Sequence, residues 1–139
     1  MPIAYRVNHD ARVVVVAAHG ILTDADVFGY QQDVWSRRDV IGYDELIDMG
    51  GATGIAVPSV DRVRDLAQLA ADMDTDATRS RLAIVAAADL AFGLGRMFQT
   101  YRHLNPRSTK EVGVFRTVHE ALAFLRIDRP LSMPEWSSP

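Results

Sequence analysis

Residues 46–66 read LIDMGGATGIAVPSVDRVRDL. The apolar pair Leu46-Ile47 closes on the acid Asp48, passes Gly50 and Gly51, and restarts behind Pro58 and Ser59 with Val60, Val63 and Ala67 at helical spacing. A short apolar run, a glycine corner and an amphipathic helix in that order form one strand-helix unit. The question for function is what the corner does. It either presents backbone amides and a helix N-terminus to an anionic group or a partner, or simply turns the chain.

Working outward, the same order recurs. Residues 5–8 and 12–19 (RVVVVAAH) read as two strands joined by a turn at His9-Asp10-Ala11. Gly20 breaks the run. Thr23, with Asp26 three residues on, predicts a short-armed capping box opening a first helix whose inner face is Val27, Gln31, Val34 and Trp35. Beyond Gly42, YDELIDM gives a third strand ending near Asp48. A loop over residues 50–58 leads to Ser59 as N-cap of a second helix that buries Val60, Val63, Ala67, Ala70 and Met73. After the polar connection DMDTDATRS, the segment RLAIVAAA (81–88) is continuous enough for a strand buried on both faces. Asp89 caps a third helix with the stripe Leu90, Leu94, Met97, Phe98, Tyr101 and Leu104, closed by Asn105-Pro106. EVGVF (111–115) is a fifth strand, and Thr117 caps a fourth helix with Val118, Ala121, Leu122 and Leu125 inward.

Two strands, a helix, then strand and helix three times predict an α/β fold. The sheet is five-stranded and mostly parallel, with right-handed crossovers, four helices and an N-terminal hairpin as its antiparallel edge. One domain spans residues 1–127. The tail 128–139, DRPLSMPEWSSP, holds three prolines and no periodicity and is expected to be loosely ordered, with Trp136 as the residue to anchor it to a neighbour.

Composition narrows the chemistry. The chain of 139 residues is 48% hydrophobic and 24% charged, the balance of an ordinary globular domain. It has no cysteine, which excludes disulfides, thiolate catalysis and cysteine-bound metal. A net charge of -3 gives no general attraction to nucleic acid or anionic membrane. No apolar run reaches the length of a membrane span, and the first residues lack the pattern of a secretion signal, so the expected location is the cytoplasm.

The element order, with two local segments, resembles the STAS superfamily, typified by bacterial anti-sigma factor antagonists, and within it the SpoIIAA-like branch with kinship to CRAL-TRIO lipid-binding domains. The resemblance runs over residues 5–127. EVGVFRTVHEALAFLRI (111–127) is similar to the last strand and helix of that branch, and LIDMGGATGI (46–55) to the strand and loop that precede a DSSG motif in the antagonists. Asp48 stands where their strand-end acid stands, while Ala56, Val57 and Pro58 fall over the DSS positions and Ser59 follows one residue later. The serine of the phospho-switch is therefore absent at its aligned place. The resemblance implies a non-catalytic regulatory or protein-interaction module, with a kinase or anti-sigma-like factor as partner. Its CRAL-TRIO side implies the alternative, a binder of a small apolar or lipid-like ligand.

The corner collects Asp48, Gly50, Gly51, Thr53 and Ser59, with Thr23 and Asp89 from neighbouring loops, at the edge where open parallel sheets bind ligands. Ser59 reads as a capping hydroxyl or as a weak candidate phosphoacceptor. GLGRMF (93–98) lacks the third glycine of a dinucleotide fingerprint and lies inside a helical period, so it is not one. Gly93 and Gly95 still point to a close approach by a strand, a second subunit or a ligand. His9, His19, His103 and His119 show no metal-ligand spacing, and no motif implies an enzyme or a cofactor. Arg62, Arg64, Arg96 and Arg102 read as solvated faces. Continuous apolar strands predict a homodimer, since helices confined to one side leave the other sheet face needing cover. Under the ligand-binding alternative, Phe28, Tyr30, Trp35, Phe98 and Tyr101 line the pocket.

Overall fold

The valine run that ends the N-terminal hairpin is the centre of the molecule. Val13, Val14, Val15 and Val16 are each at most 1% exposed, and burying such side chains contributes about 1.5–3 kcal/mol apiece. A computed structural model describes residues 2–56, 59–74 and 79–134. Strand β1 (Ile3–Asn8) pairs antiparallel with β2 (Val13–Thr23), in register from Ile3 opposite Ala18 to Asn8 opposite Val13. The turn between them uses a left-handed Arg12 (φ 56°), and Asn8 Oδ1 accepts from the Ala11 amide at 2.9 Å. Strands β3 (Asp44–Ala56), β4 (Arg81–Val85) and β5 (Glu111–Phe115) follow in parallel, giving the order β1-β2-β3-β4-β5. Helices α1 (Asp24–Trp35), α2 (Val60–Asp72), α3 (Asp89–Leu104) and α4 (Val118–Leu125) complete the predicted α/β architecture.

Alternation along each strand divides the core. Val14, Val16, Leu82, Ile84, Val112 and Val114 face the layer that holds Tyr30 and Val34 of α1 and Phe92 and Phe98 of α3. Val13, Val15, Leu46, Ala83 and Val85 face the opposite way, against Ala121 and Leu125 of α4. Residues 128–134 form no helix or strand, yet Leu131 and Met133 pack on this second face. Helices therefore lie on both sides of the sheet, and the premise behind the expected homodimer, that one face is left uncovered, does not hold. The proposed anchoring by Trp136 and the helix-starting place of Pro58 lie outside the described residues.

Several local expectations are corrected. β3 does not end near Asp48 but runs on to Ala56, because β2 is also long and pairs with it as far as Thr23 opposite Ala56. Its pairing with β4 stops at Asp48 opposite Val85, so the end of the sheet carries a two-stranded extension. On α3 the buried residues are Ala91, Gly95 and Arg102, while Leu90 and Leu104 are 62% and 74% exposed. Leu94 and Phe98 of the predicted stripe do face inward, but Leu90 and Leu104 do not, and Ala91 and Gly95 join the inner face because small residues let the helix press close to the sheet. Val60 on α2 is likewise exposed, and Val63, Ala67, Ala70 and Ala71 take the inner face.

Candidate functional site

The predicted recognition edge is spread along β3. Asp48 lies beside Ala17 and Val85, and its Oδ1 accepts from the Gly50 amide at 2.8 Å. Thr23 is at the far tip of the extension, opposite Ala56, and Ser59 follows three residues later at the start of α2. At the usual rise per residue, eight residues of strand place Asp48 and Ala56 roughly 25 Å apart. The structure thus separates the acid from the serine instead of gathering them at one corner. Gly50 and Gly51 make no turn and have no positive φ. Gly51 is needed for close approach, since a Cβ there would meet the Ala18 carbonyl oxygen at 2.6 Å beside the irregular pairing around His19. Thr53 is exposed within the same strand.

The caps differ from one another. Thr23 forms the predicted box: its Oγ1 accepts from the Asp26 amide at 3.2 Å, and Asp26 Oδ2 accepts from the Thr23 amide at 2.9 Å. Thr117 accepts from the Glu120 amide at 3.2 Å, also as expected. Asp89 is not the N-cap of α3. Ala88 holds that position, and Asp89 is the first helical residue, an exposed partner of Arg116 at 2.9 Å. Ser59 occupies the N-cap place of α2 without any side-chain capping bond, and its residue is exposed.

A second region is more enclosed. Between the sheet and helices α1, α2 and α3 lies a cavity of about 140 Å³. Its walls are Val16, Ile47 and Ile84 from the sheet, Val63 from α2, and Leu94 and Phe98 from α3. Gly95 permits this arrangement, for a Cβ there would stand 3.1 Å from Val114 Cγ1 and 3.5 Å from Ile84 Cγ2. Gly93, in contrast, faces open space. Of the five aromatic residues predicted to line a pocket, Tyr30 and Phe98 do so. Phe28 lies under the Arg62 guanidinium at 4.2 Å, Trp35 joins a polar network below the cavity, and Tyr101 sits in an outer groove with Leu104.

That network was not foreseen. Glu45 is 3% exposed, and its Oε2 accepts from Tyr30 Oη at 2.5 Å and from Trp35 Nε1 at 3.1 Å. Lys110 Nζ donates to Glu45 Oε1 at 3.4 Å and rests 3.4 Å from the centre of the Trp35 ring. Beside it Arg102, 2% exposed, donates to Asp74 Oδ2 at 2.6 Å and to Ser108 Oγ at 2.9 Å, and Asp74 also accepts from the amides of Thr109 and Lys110. Burial, reinforced by the Glu45 charge, raises the Tyr30 phenol well above its usual range. Burial lowers the Lys110 ammonium, opposed by Glu45 and Asp74. Two sequence signals bear on this network: Glu45 directly precedes the apolar pair Leu46-Ile47 of a strand, and Lys110 is the only lysine in the chain. Among the described residues no buried side-chain polar atom lacks a partner, and no cluster of three or more histidines or carboxylates could hold a metal.

No family model and no curated protein matches the chain. Among solved structures, it is similar to an uncharacterised protein of the DUF3478 family with a SpoIIAA-like fold from Shewanella loihica PV-4. The two share 20% identity over 88% of this chain and 93% of the other, with a TM-score of 0.56. The SpoIIAA-like fold expected from the sequence is therefore the fold of this chain. Among the described residues no helix is long and apolar enough to cross a membrane.

Proposed function

We propose that the chain is a non-catalytic binding module that holds a small apolar molecule between its sheet and helices α1–α3. The observation that carries this reading is the 140 Å³ cavity with its almost wholly apolar wall. Native cores are packed to leave few voids larger than a water molecule, so a partly open apolar pocket of this size leaves surface that a bound apolar molecule would cover. Ligand sites are typically such concave apolar spaces with few polar groups. The test is native mass spectrometry of the freshly purified chain, combined with thermal shifts over a panel of apolar compounds and lipids. A bound mass or a saturable rise in Tm supports the reading, and a bare chain that no compound stabilises refutes it.

A second reading, protein interaction, draws on the extension of β3. Residues 49–56 have β2 on one side and no β4 partner on the other, and unpaired strand edges accept further strands. The exposed, uncapped Ser59 beside this edge is the group a kinase partner would modify. Cytoplasmic location and a homodimer through the same edge belong to this reading. Sedimentation of the purified chain as a monomer at micromolar concentration would remove the homodimer.

A further inference from the structure

The cavity is small, and the charged groups beside it are already paired. Its volume of about 140 Å³ is close to that of engineered apolar cavities of about 150 Å³, which stay dry and take a benzene-sized guest. Sites for drug-sized ligands start at about 300 Å³. The polar side chains that reach the wall are Tyr30, Gln31 and Glu45. Tyr30 Oη donates to Glu45, Glu45 also accepts from Trp35 and Lys110, and the Gln31 amide donates to Met73 Sδ at 3.7 Å. A ligand carboxylate would have to compete with Glu45 for Lys110 and would meet a like charge beside it. A charged handle on the ligand would therefore find no unpaired counter-charge at the wall.

A second, smaller space adjoins the cavity between the N-terminal ends of α1 and α2. A smaller cavity of about 50 Å³ shares Leu22, Val27, Ile55, Val63 and Leu66 with the main one and is bounded on its outer side by Phe28 and Arg62. Arg62 Nε donates to Asp24 Oδ2 at 2.7 Å, and its guanidinium covers the Phe28 ring. The guanidinium that could greet a lipid headgroup is already paired.

Given that the cavity is the ligand site, as proposed above, we infer that its ligand is a compact, uncharged, ring-sized apolar molecule of about ten non-hydrogen atoms or fewer, and not a long-chain fatty acid or phospholipid. Guests of this size bind in the micromolar to millimolar range.

The experiment uses the full chain and 4-fluorotoluene, followed by ¹⁹F NMR, with palmitate and dioleoylphosphatidylcholine as competitors. A saturable shift or broadening of the ¹⁹F signal, unaffected by either lipid, is the expected result. Ala91→Leu, which adds bulk to the cavity wall, weakens binding by roughly tenfold or more, and Gly93→Ala, which faces open space, leaves it unchanged. Should Ala91→Leu fail to fold, Leu94→Ala serves instead: enlarging the wall lets the larger naphthalene compete with the fluorinated probe, and its exclusion counts against the inference. Binding of palmitate or the phospholipid without binding of 4-fluorotoluene overturns the ring-sized ligand and leaves the apolar-binding function standing. Failure of every probe overturns both, and 4-fluorotoluene binding that Ala91→Leu does not touch places the guest elsewhere and overturns the inference.

Discussion

Lys110 Nζ lies 3.4 Å from Glu45 Oε1, with both side chains less than a tenth exposed, so the single lysine of the chain is spent on a buried ion pair under the cavity. Breaking such a pair from one side leaves the other charge uncompensated. Lys110→Met is expected to cost about 3–5 kcal/mol in urea unfolding, whereas Lys110→Met combined with Glu45→Leu recovers part of that loss. A single substitution that costs under about 1 kcal/mol would show that water reaches the pair.

Tyr30 gives the same network a signature at high pH. Its folded pKa is raised by burial and by Glu45, so above about pH 10 the unfolded chain loses the phenolic proton while the native chain keeps it. The native state then binds more protons, and stability falls as pH rises through that range. Lys110 acts with the opposite sign: its folded pKa is lowered, so stability rises with pH up to its unfolded value of about 10.5. The difference between the native chain and Tyr30→Phe isolates the tyrosine. Chemical unfolding from pH 8 to 11 should show the native chain's advantage over Tyr30→Phe shrinking above about pH 10; a constant gap would refute the shift.

These groups mark the limit of what the sequence reveals. Strand and helix order was legible because Val13 to Val16, Leu82 to Val85 and the Thr23 and Thr117 caps are local signals. The end of β3 was not, because Gly50 and Gly51 look like a turn until the length of β2 is known, and pairing across strands overrides local propensity. The ends of the α3 stripe, Leu90 and Leu104, were misplaced for a related reason. Ala91 and Gly95 carry little hydrophobic weight, yet their small size brings the helix down onto Ile84 and Val114. The Glu45–Lys110 pair joins residues 65 positions apart, and only the finished sheet brings them together.

The two threonine and serine caps should respond differently. Thr23→Ala removes a reciprocal capping box and is expected to cost about 1 kcal/mol. Ser59→Ala removes a hydroxyl with no capping bond, so its effect should fall within about 0.5 kcal/mol of zero. Equal losses in thermal or urea unfolding would show that Ser59 caps α2 in solution.

Glycines should also separate by position. Gly51→Ala drives a Cβ to 2.6 Å from the Ala18 carbonyl oxygen, and the backbone shift this demands is expected to cost about 1–3 kcal/mol. Gly93→Ala meets nothing within 4 Å inside a helix and should stabilise by up to about 1 kcal/mol. Loss of stability at Gly93 would reveal a contact made there by a partner.

The last expectation concerns access to the cavity. Arg62 of α2 joins Asp24 of α1 at 2.7 Å and lies over Phe28 at 4.2 Å, bridging the two helices beside the smaller space. The hydrogen bond from Arg62 holds the Asp24 carboxyl below its usual range, so the bridge persists at neutral pH and is lost as pH falls through that lowered value. Arg62→Ala removes both contacts without touching the inner wall. Exchange of a bound apolar guest should then accelerate by roughly tenfold while its equilibrium affinity changes little, because opening that space speeds arrival and departure together. Relaxation-dispersion or saturation-transfer NMR reads the exchange rate directly. An unchanged rate in Arg62→Ala would mean that guests pass by another route.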